Sequence, residues 1–158
     1  MGPTDDATIE PGRISGGILV GYDSSAGARV AVDWALRVGK QMGWTVHVLR
    51  SWSLTTAPRP ASMTGGYVPP LQDFGEAVLK QMQAEMATWD VPDGVRVELH
   101  AEQGQSSAQL LKHAADVEVL VVGARGSGGF RGLRFGSTAD QVVRNSPVPV
   151  TVVPPPKD

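Results

Sequence analysis

The chain has 158 residues, with 14 Lys+Arg against 16 Asp+Glu and a formal net charge of −2 at pH 7. One domain fills that length, and a chain near 150 residues buries roughly 70% of its unfolded surface without staples. The lack of cysteine excludes a disulfide framework, a thiolate nucleophile and every Cys-ligated metal site. The mild acidity argues against a nucleic-acid binder, which needs a broad basic excess.

Residues 1–14 are polar and acidic, with neither the basic start nor the apolar stretch of a signal peptide, and are expected to form a loose tail. No apolar run approaches the roughly 18–20 residues of a membrane span, so a cytoplasmic location and no membrane partner are expected. The domain is placed at residues 15–155.

The first strand is Ile18 to Tyr22, a continuous apolar run of the kind buried on both faces of a parallel sheet. Asp23, Ser24 and Ser25 supply turn and N-cap chemistry. A helix follows on Ala28, Ala31, Trp34, Ala35, Val38 and Met42, and Gly43 stands where a helix ends. Strand two covers Thr45 to about Trp52. The stretch 53–70, rich in proline, is long for a compact domain and is read either as a flap over a ligand or as disorder. Helix two places Leu71, Phe74, Val78, Leu79, Met82, Met86 and Trp89 on one stripe.

After the turn at Pro92-Asp93-Gly94, strand three runs from Val95 to about Ala101. Its alternation predicts one wetter face and an edge position. Helix three spans about Ser106 to Ala115, and strand four is the apolar run Val119 to Val122. A glycine-rich loop, Gly123 to Gly136, leads to helix four from Ser137 to about Asn145. Strand five is Val148 to Val153, before three prolines. Five strands alternating with four helices predict a single doubly wound parallel sheet with helices on both faces, because parallel strands need helical crossovers. Ligands of such sheets sit beyond the carboxyl ends of the strands where strand order reverses. That places Asp23 and the loop after Val122 on either side of one crevice.

The loop has the composition of an anion cradle. Gly123 and Gly126 let backbone N–H groups approach a ligand, and Gly136-Ser137-Thr138 opens a helix whose N-terminal amides favour an anion. Arg125, Arg131 and Arg134 lie in a stretch without acidic residues until Asp140. Phosphate is the expected anion. The loop carries no Gly-Lys-Ser/Thr and no G-x-G-x-x-G, so neither the Walker nor the dinucleotide motif applies. A simpler role stands beside the functional one at two positions: Asp23 also suits a helix cap, and Ser137 with Asp140 fits a capping box. His47, His100 and His113 have no metal-ligand spacing, and no protein metal site is expected. No residue near the loop suits a general base, and no catalytic residue is assigned.

Gly123-x-x-Gly126, nine residues, then Gly136-Ser137 resembles the G-2x-G-9x-G-S/T motif of the nucleotide-binding universal stress proteins. The opening Ile-Leu-Val-Gly-Tyr-Asp23 and the closing Ser-Pro-Val-Pro-Val-Thr-Val-Val-Pro extend the resemblance from Gly17 to Pro154. It implies strand order 3-2-1-4-5 and ATP in the crevice, accompanied by Mg²⁺. Asp23 would then meet the adenosine, Ser51 would flank the base, and Val122 and Gly123 would pass beneath the ribose. Gly126, Gly136, Ser137 and Thr138 would hold the phosphates; from its place in the loop Arg125 is either a further phosphate contact or a solvated loop residue. Ser51 stands where many relatives carry a small apolar residue, and Gly104-Gln105-Ser106 lacks the proline frequent there. The resemblance implies a regulatory or sensory module of the stress response, and a homodimer paired through the strand-five edge, where Pro149 suits an outer strand. The alternatives are AMP or cyclic AMP as the ligand, a slow ATP hydrolase or an enzyme phosphorylating its own Ser137 or Thr138, or a dimeric interaction protein without nucleotide.

Overall fold

In the computed structural model residues 7–8, 12–126 and 134–156 are described. The strands are β1 (Ala7–Thr8), β2 (Ile18–Gly21), β3 (Val46–Trp52), β4 (Val97–Gln103), β5 (Val119–Gly123) and β6 (Val150–Val153). The helices are α1 (Ala26–Met42), α2 (Leu71–Met86), α3 (Ser106–His113) and α4 (Ser137–Asn145). The sheet order is β1-β4-β3-β2-β5-β6, and every pairing is parallel. The five principal strands therefore run third, second, first, fourth, fifth, as expected.

Side-chain alternation explains the two layers. Ile18, Val20, Val46, Val48, Val97, Leu99 and Val121 face α1 and α2, where they meet Ala31, Val32, Ala35, Phe74, Val78 and Met82. Leu19, Leu49, Leu120 and Val122 face the opposite way, onto Leu110, Ala139 and Val142 of α3 and α4. Ser25 caps α1 by accepting from the Ala28 N–H at 3.1 Å, and Gly43 closes it at φ 68°.

Two observations add to the sequence-based picture. Ala7–Thr8, within the segment expected to be a tail, pairs with Val97–Glu98 on the outer side of β4. The alternating polar positions of β4 are also not wet: Glu98 and His100 are buried, and so is His47 beside them. The stretch 53–70 folds into turns secured by the Ser53 N–H donating to Thr56 Oγ1 at 2.8 Å and by Ser62 Oγ donating to Asp73 Oδ2 at 2.7 Å.

Candidate functional site

β2 leads to a helix on one face and β5 to a helix on the other, so their carboxyl ends diverge. The gap is a cavity of about 360 Å³, within the size range of small-molecule sites. Its wall contains all nine sequence-predicted residues: Asp23, Ser51, Val122, Gly123, Arg125, Gly126, Gly136, Ser137 and Thr138. It also contains residues the sequence did not single out, among them Tyr22, Arg50, Thr56, Ser106 and Leu110. Thr56 brings the 53–70 stretch to the cavity. Arg131 and the glycines at 128, 129 and 132 lie outside the described residues.

Close packing sets the shape of the wall. A Cβ on Gly123 would stand 2.8 Å from the Gly27 carbonyl oxygen, so bare backbone at both positions lets β5 meet the start of α1. A Cβ on Gly126 would stand 2.7 Å from Asp23 Oδ2, so this glycine makes room for the carboxylate across the cleft. At Gly136 the nearest atoms to an added Cβ lie at 3.5 to 3.7 Å, an ordinary contact. The Gly136 N–H donates to the Ala124 carbonyl at 2.7 Å, and the Ala124 N–H donates to that of Val153 at 2.8 Å. These two bonds fasten the base of the loop to β6.

The helix-four cap differs from expectation. Gly136, not Ser137, is the N-cap; Ser137 is the first helical residue and no side chain caps the helix. Asp140 instead holds Arg144 Nε at 3.0 Å from both of its oxygens. The reason is register: with Gly136 extended at ψ 172°, the Ser137 hydroxyl lies one position too late to reach back over the first turn. The first-turn amides of α4, which have no intrahelical partners, lie where Ser137, Thr138 and Ala139 line the cavity.

The opposite rim is a polar network. Asp23 Oδ1 accepts from the Ser25 N–H at 3.0 Å, and Ser24 adopts a left-handed φ of 68°, uncommon outside glycine. Ser24 Oγ donates to Glu85 Oε2 at 3.0 Å and accepts from Arg50 Nη1 at 3.0 Å. Arg50 also reaches Gln81 Oε1 at 2.9 Å. Tyr22 donates its hydroxyl to Glu85 Oε2 at 2.7 Å and packs edge-on against Trp89. Burial, and then the Glu85 carboxylate, push the Tyr22 phenol up to about 12. The network ties the chain after β2 to α2, so the carboxylate and the guanidinium at the cavity mouth rest on fixed elements.

The pattern of the Universal stress protein family matches residues 16–154. The chain belongs to the universal stress protein family. It is 29% identical over 160 residues to a universal stress protein of Mycolicibacterium smegmatis, covering 96% of this chain and 49% of that protein. The chain thus spans about half the length of the first curated relatives it matches. Among solved structures it resembles a family member from Arabidopsis thaliana with AMP bound, with a TM-score of 0.57 at 16% identity, covering 92% and 94% of the two chains. It also resembles a universal stress protein in complex with cAMP, with a TM-score of 0.57 at 19% identity, covering 90% and 98%. At these identities the likeness establishes the fold of the family and leaves the ligand to the chemistry of the cavity. No helix among the described residues is long and apolar enough to cross a membrane.

Proposed function

We propose that the cavity binds an adenine nucleotide, ATP accompanied by Mg²⁺, and that the chain acts as a cytoplasmic regulatory or sensory module of the stress response. The observation that carries the reading is the convergence of a carboxylate, a glycine-spaced loop and an uncapped helix N-terminus on one cavity at the switch point of the sheet. Asp23 suits a ribose hydroxyl, because a carboxylate accepts strongly from it. Ser51 and Leu49 flank the position of the base, and Val122 and Gly123 lie beneath the sugar. Gly126, Gly136, Ser137 and Thr138 offer N–H and hydroxyl groups to phosphates, with Arg125 beside them. Mg²⁺ would be held chiefly by phosphate oxygens and water, with the Ser137 or Thr138 hydroxyl as protein ligand, and would neutralise phosphate charge.

AMP or cyclic AMP is the second reading, favoured by the fold neighbours described with those ligands. Backbone amide shifts on titration with ATP, AMP and cyclic AMP test both. The proposal expects the largest changes at Gly126, Ser137 and Thr138, and a nucleotide that perturbs none of them overturns it. The proposal includes a homodimer through β6, which forms the outer strand on its side of the sheet. Sedimentation of a concentrated solution as monomer alone would remove that part.

A further inference from the structure

At the amino-terminal side of β3 and β4, away from the nucleotide cavity, three ligand-type side chains meet. The parallel register sets His47 opposite Glu98 and Leu49 opposite His100, so the three functional groups share one face of the sheet. His47 and His100 are each 2% exposed and Glu98 is 8% exposed. His47 Nδ1 lies 3.0 Å from Glu98 Oε2 and 3.0 Å from His100 Nε2, and the last two atoms are 4.0 Å apart.

A neutral His47 ring cannot satisfy both of its oxygen contacts while Glu98 is ionised. His47 Nε2 faces the Ser15 carbonyl oxygen at 3.4 Å, a contact that needs the proton on Nε2. A neutral ring then leaves a lone pair on Nδ1, aimed at a carboxylate oxygen 3.0 Å away. Moving the proton to Nδ1 turns the Ser15 contact into acceptor against acceptor.

A metal ion turns these facing lone pairs into ligands. A circle through three atoms with these separations has a radius of about 2.0 Å, the length of Zn–N and Zn–O bonds, and a tetrahedral ion would draw the 4.0 Å His100–Glu98 edge in to about 3.3 Å. His47 then keeps Nε2–H for the Ser15 carbonyl, the outer-shell arrangement that fixes a ligating imidazole. Arg96 holds the other carboxylate oxygen, Glu98 Oε1, from Nε at 3.2 Å and Nη2 at 3.0 Å. A second cavity of about 440 Å³, bordered by Gly12, Ile14, His100, Glu102 and His113, gives an approach to His100 and room for a water. Two imidazoles and one carboxylate select a first-row transition ion over Mg²⁺ or Ca²⁺.

We propose that His47 Nδ1, Glu98 Oε2 and His100 Nε2 bind one divalent transition-metal ion of the Zn²⁺ type, with water as the fourth ligand. The site joins β3 to β4 and is independent of the nucleotide.

The test is titration of the chelator-stripped full chain with Zn²⁺, without nucleotide, in competition with a chromophoric chelator. One Zn²⁺ per chain is expected. His47→Gln and His100→Gln should each weaken binding at least about 100-fold, since losing an outer-shell partner alone weakens it 10–100-fold. His113→Gln, which removes the imidazole paired with Glu102 on the same face at 2.7 Å, should bind as the parent does. Ring ¹⁵N resonances of the unmutated chain give a readout that needs no variant to fold. Zn²⁺ should shift those of His47 and His100 and leave those of His113. Absence of uptake, uptake unchanged in both ligand variants, or ring shifts confined to His113 would overturn the proposal.

Discussion

Adding one carbon at Gly126 should loosen nucleotide binding through a residue on the other side of the cleft. In Gly126→Ala the new Cβ stands 2.7 Å from Asp23 Oδ2, and ordinary contact begins at 3.4 Å, so one side must retreat by about 0.7 Å. The carboxylate is the mobile partner, but Oδ1 is held at 3.0 Å by the N–H of Ser25, the N-cap of α1. Overpacking of this kind destabilises by about 1–3 kcal/mol. A displaced carboxylate also loses its hydrogen bond to a ribose hydroxyl, worth about 1.5–3 kcal/mol when one partner is charged. At 1.4 kcal/mol per tenfold, affinity for ATP and AMP should fall roughly 10–100-fold. The assay is a double-mutant cycle by calorimetry and thermal unfolding, with Gly126→Ala, Asp23→Ala and the pair. Once Asp23 is truncated the added methyl meets no carboxylate, so the second substitution should have little further effect on binding. A coupling of about 0.5–3 kcal/mol is expected. Parental affinity in Gly126→Ala, or strict additivity in the cycle, would refute the reasoning.

Gly136→Ala should separate folding from binding, because its Cβ meets nothing nearer than 3.5 Å and its φ of −70° suits alanine. Alanine is the poorer N-cap, so stability from denaturant unfolding should fall by no more than about 1 kcal/mol, and a larger loss would contradict the packing described. Gly39→Ala should destabilise despite alanine's helix preference of about 0.5–1 kcal/mol, because the Cβ would stand 2.7 Å from Val46 Cγ2 and 3.1 Å from the Trp44 oxygen. A net loss of about 1–2 kcal/mol is expected, and a higher denaturant midpoint would be the refuting result. Tyr22 gives the pH prediction. Its folded value of about 12 lies above the ordinary 10, so its contribution is complete below pH 10 and is lost as pH rises toward 12. That contribution is at most about 3 kcal/mol. In a Tyr67→Phe background, tyrosinate absorbance of the folded chain should develop near pH 12, and earlier when Glu85→Gln is added. Titration of Tyr22 at its ordinary value while the chain remains folded would contradict the burial and the Glu85 bond.

The sheet was legible because its information is local. Continuous apolar runs such as Ile18–Tyr22 and Val119–Val122 indicate burial on both faces, and their alternation with helices leaves few topologies. That the nine candidate residues would gather at one cavity was legible from the family resemblance and from position: they stand at or just beyond strand ends or at a helix start, where the switch-point rule collects them. What escaped depends on long-range register. The sequence distinguishes Gly126 from Gly136 by spacing alone, whereas the fold sets one against Asp23 and leaves the other in open contact. Tyr22, Arg50 and Glu85 come together only when α2 packs beside the end of β2, more than sixty residues away for Tyr22 and Glu85. His47 and His100 were set aside as metal ligands because they are 53 apart in sequence, and parallel pairing of β3 and β4 removes that separation. The Ser137–Asp140 spacing signalled a cap that a one-residue shift of the helix start prevents.

The central claim is adenine-nucleotide binding in the cavity between β2 and β5. It is tested most directly by denaturing freshly purified protein, identifying the released small molecules by mass spectrometry, and titrating the stripped chain with ATP, AMP and cyclic AMP by calorimetry. The account predicts a released adenine nucleotide, or saturable binding of one per chain by the folded protein. No released nucleotide, together with no heat from any of the three on a folded chain, would contradict it.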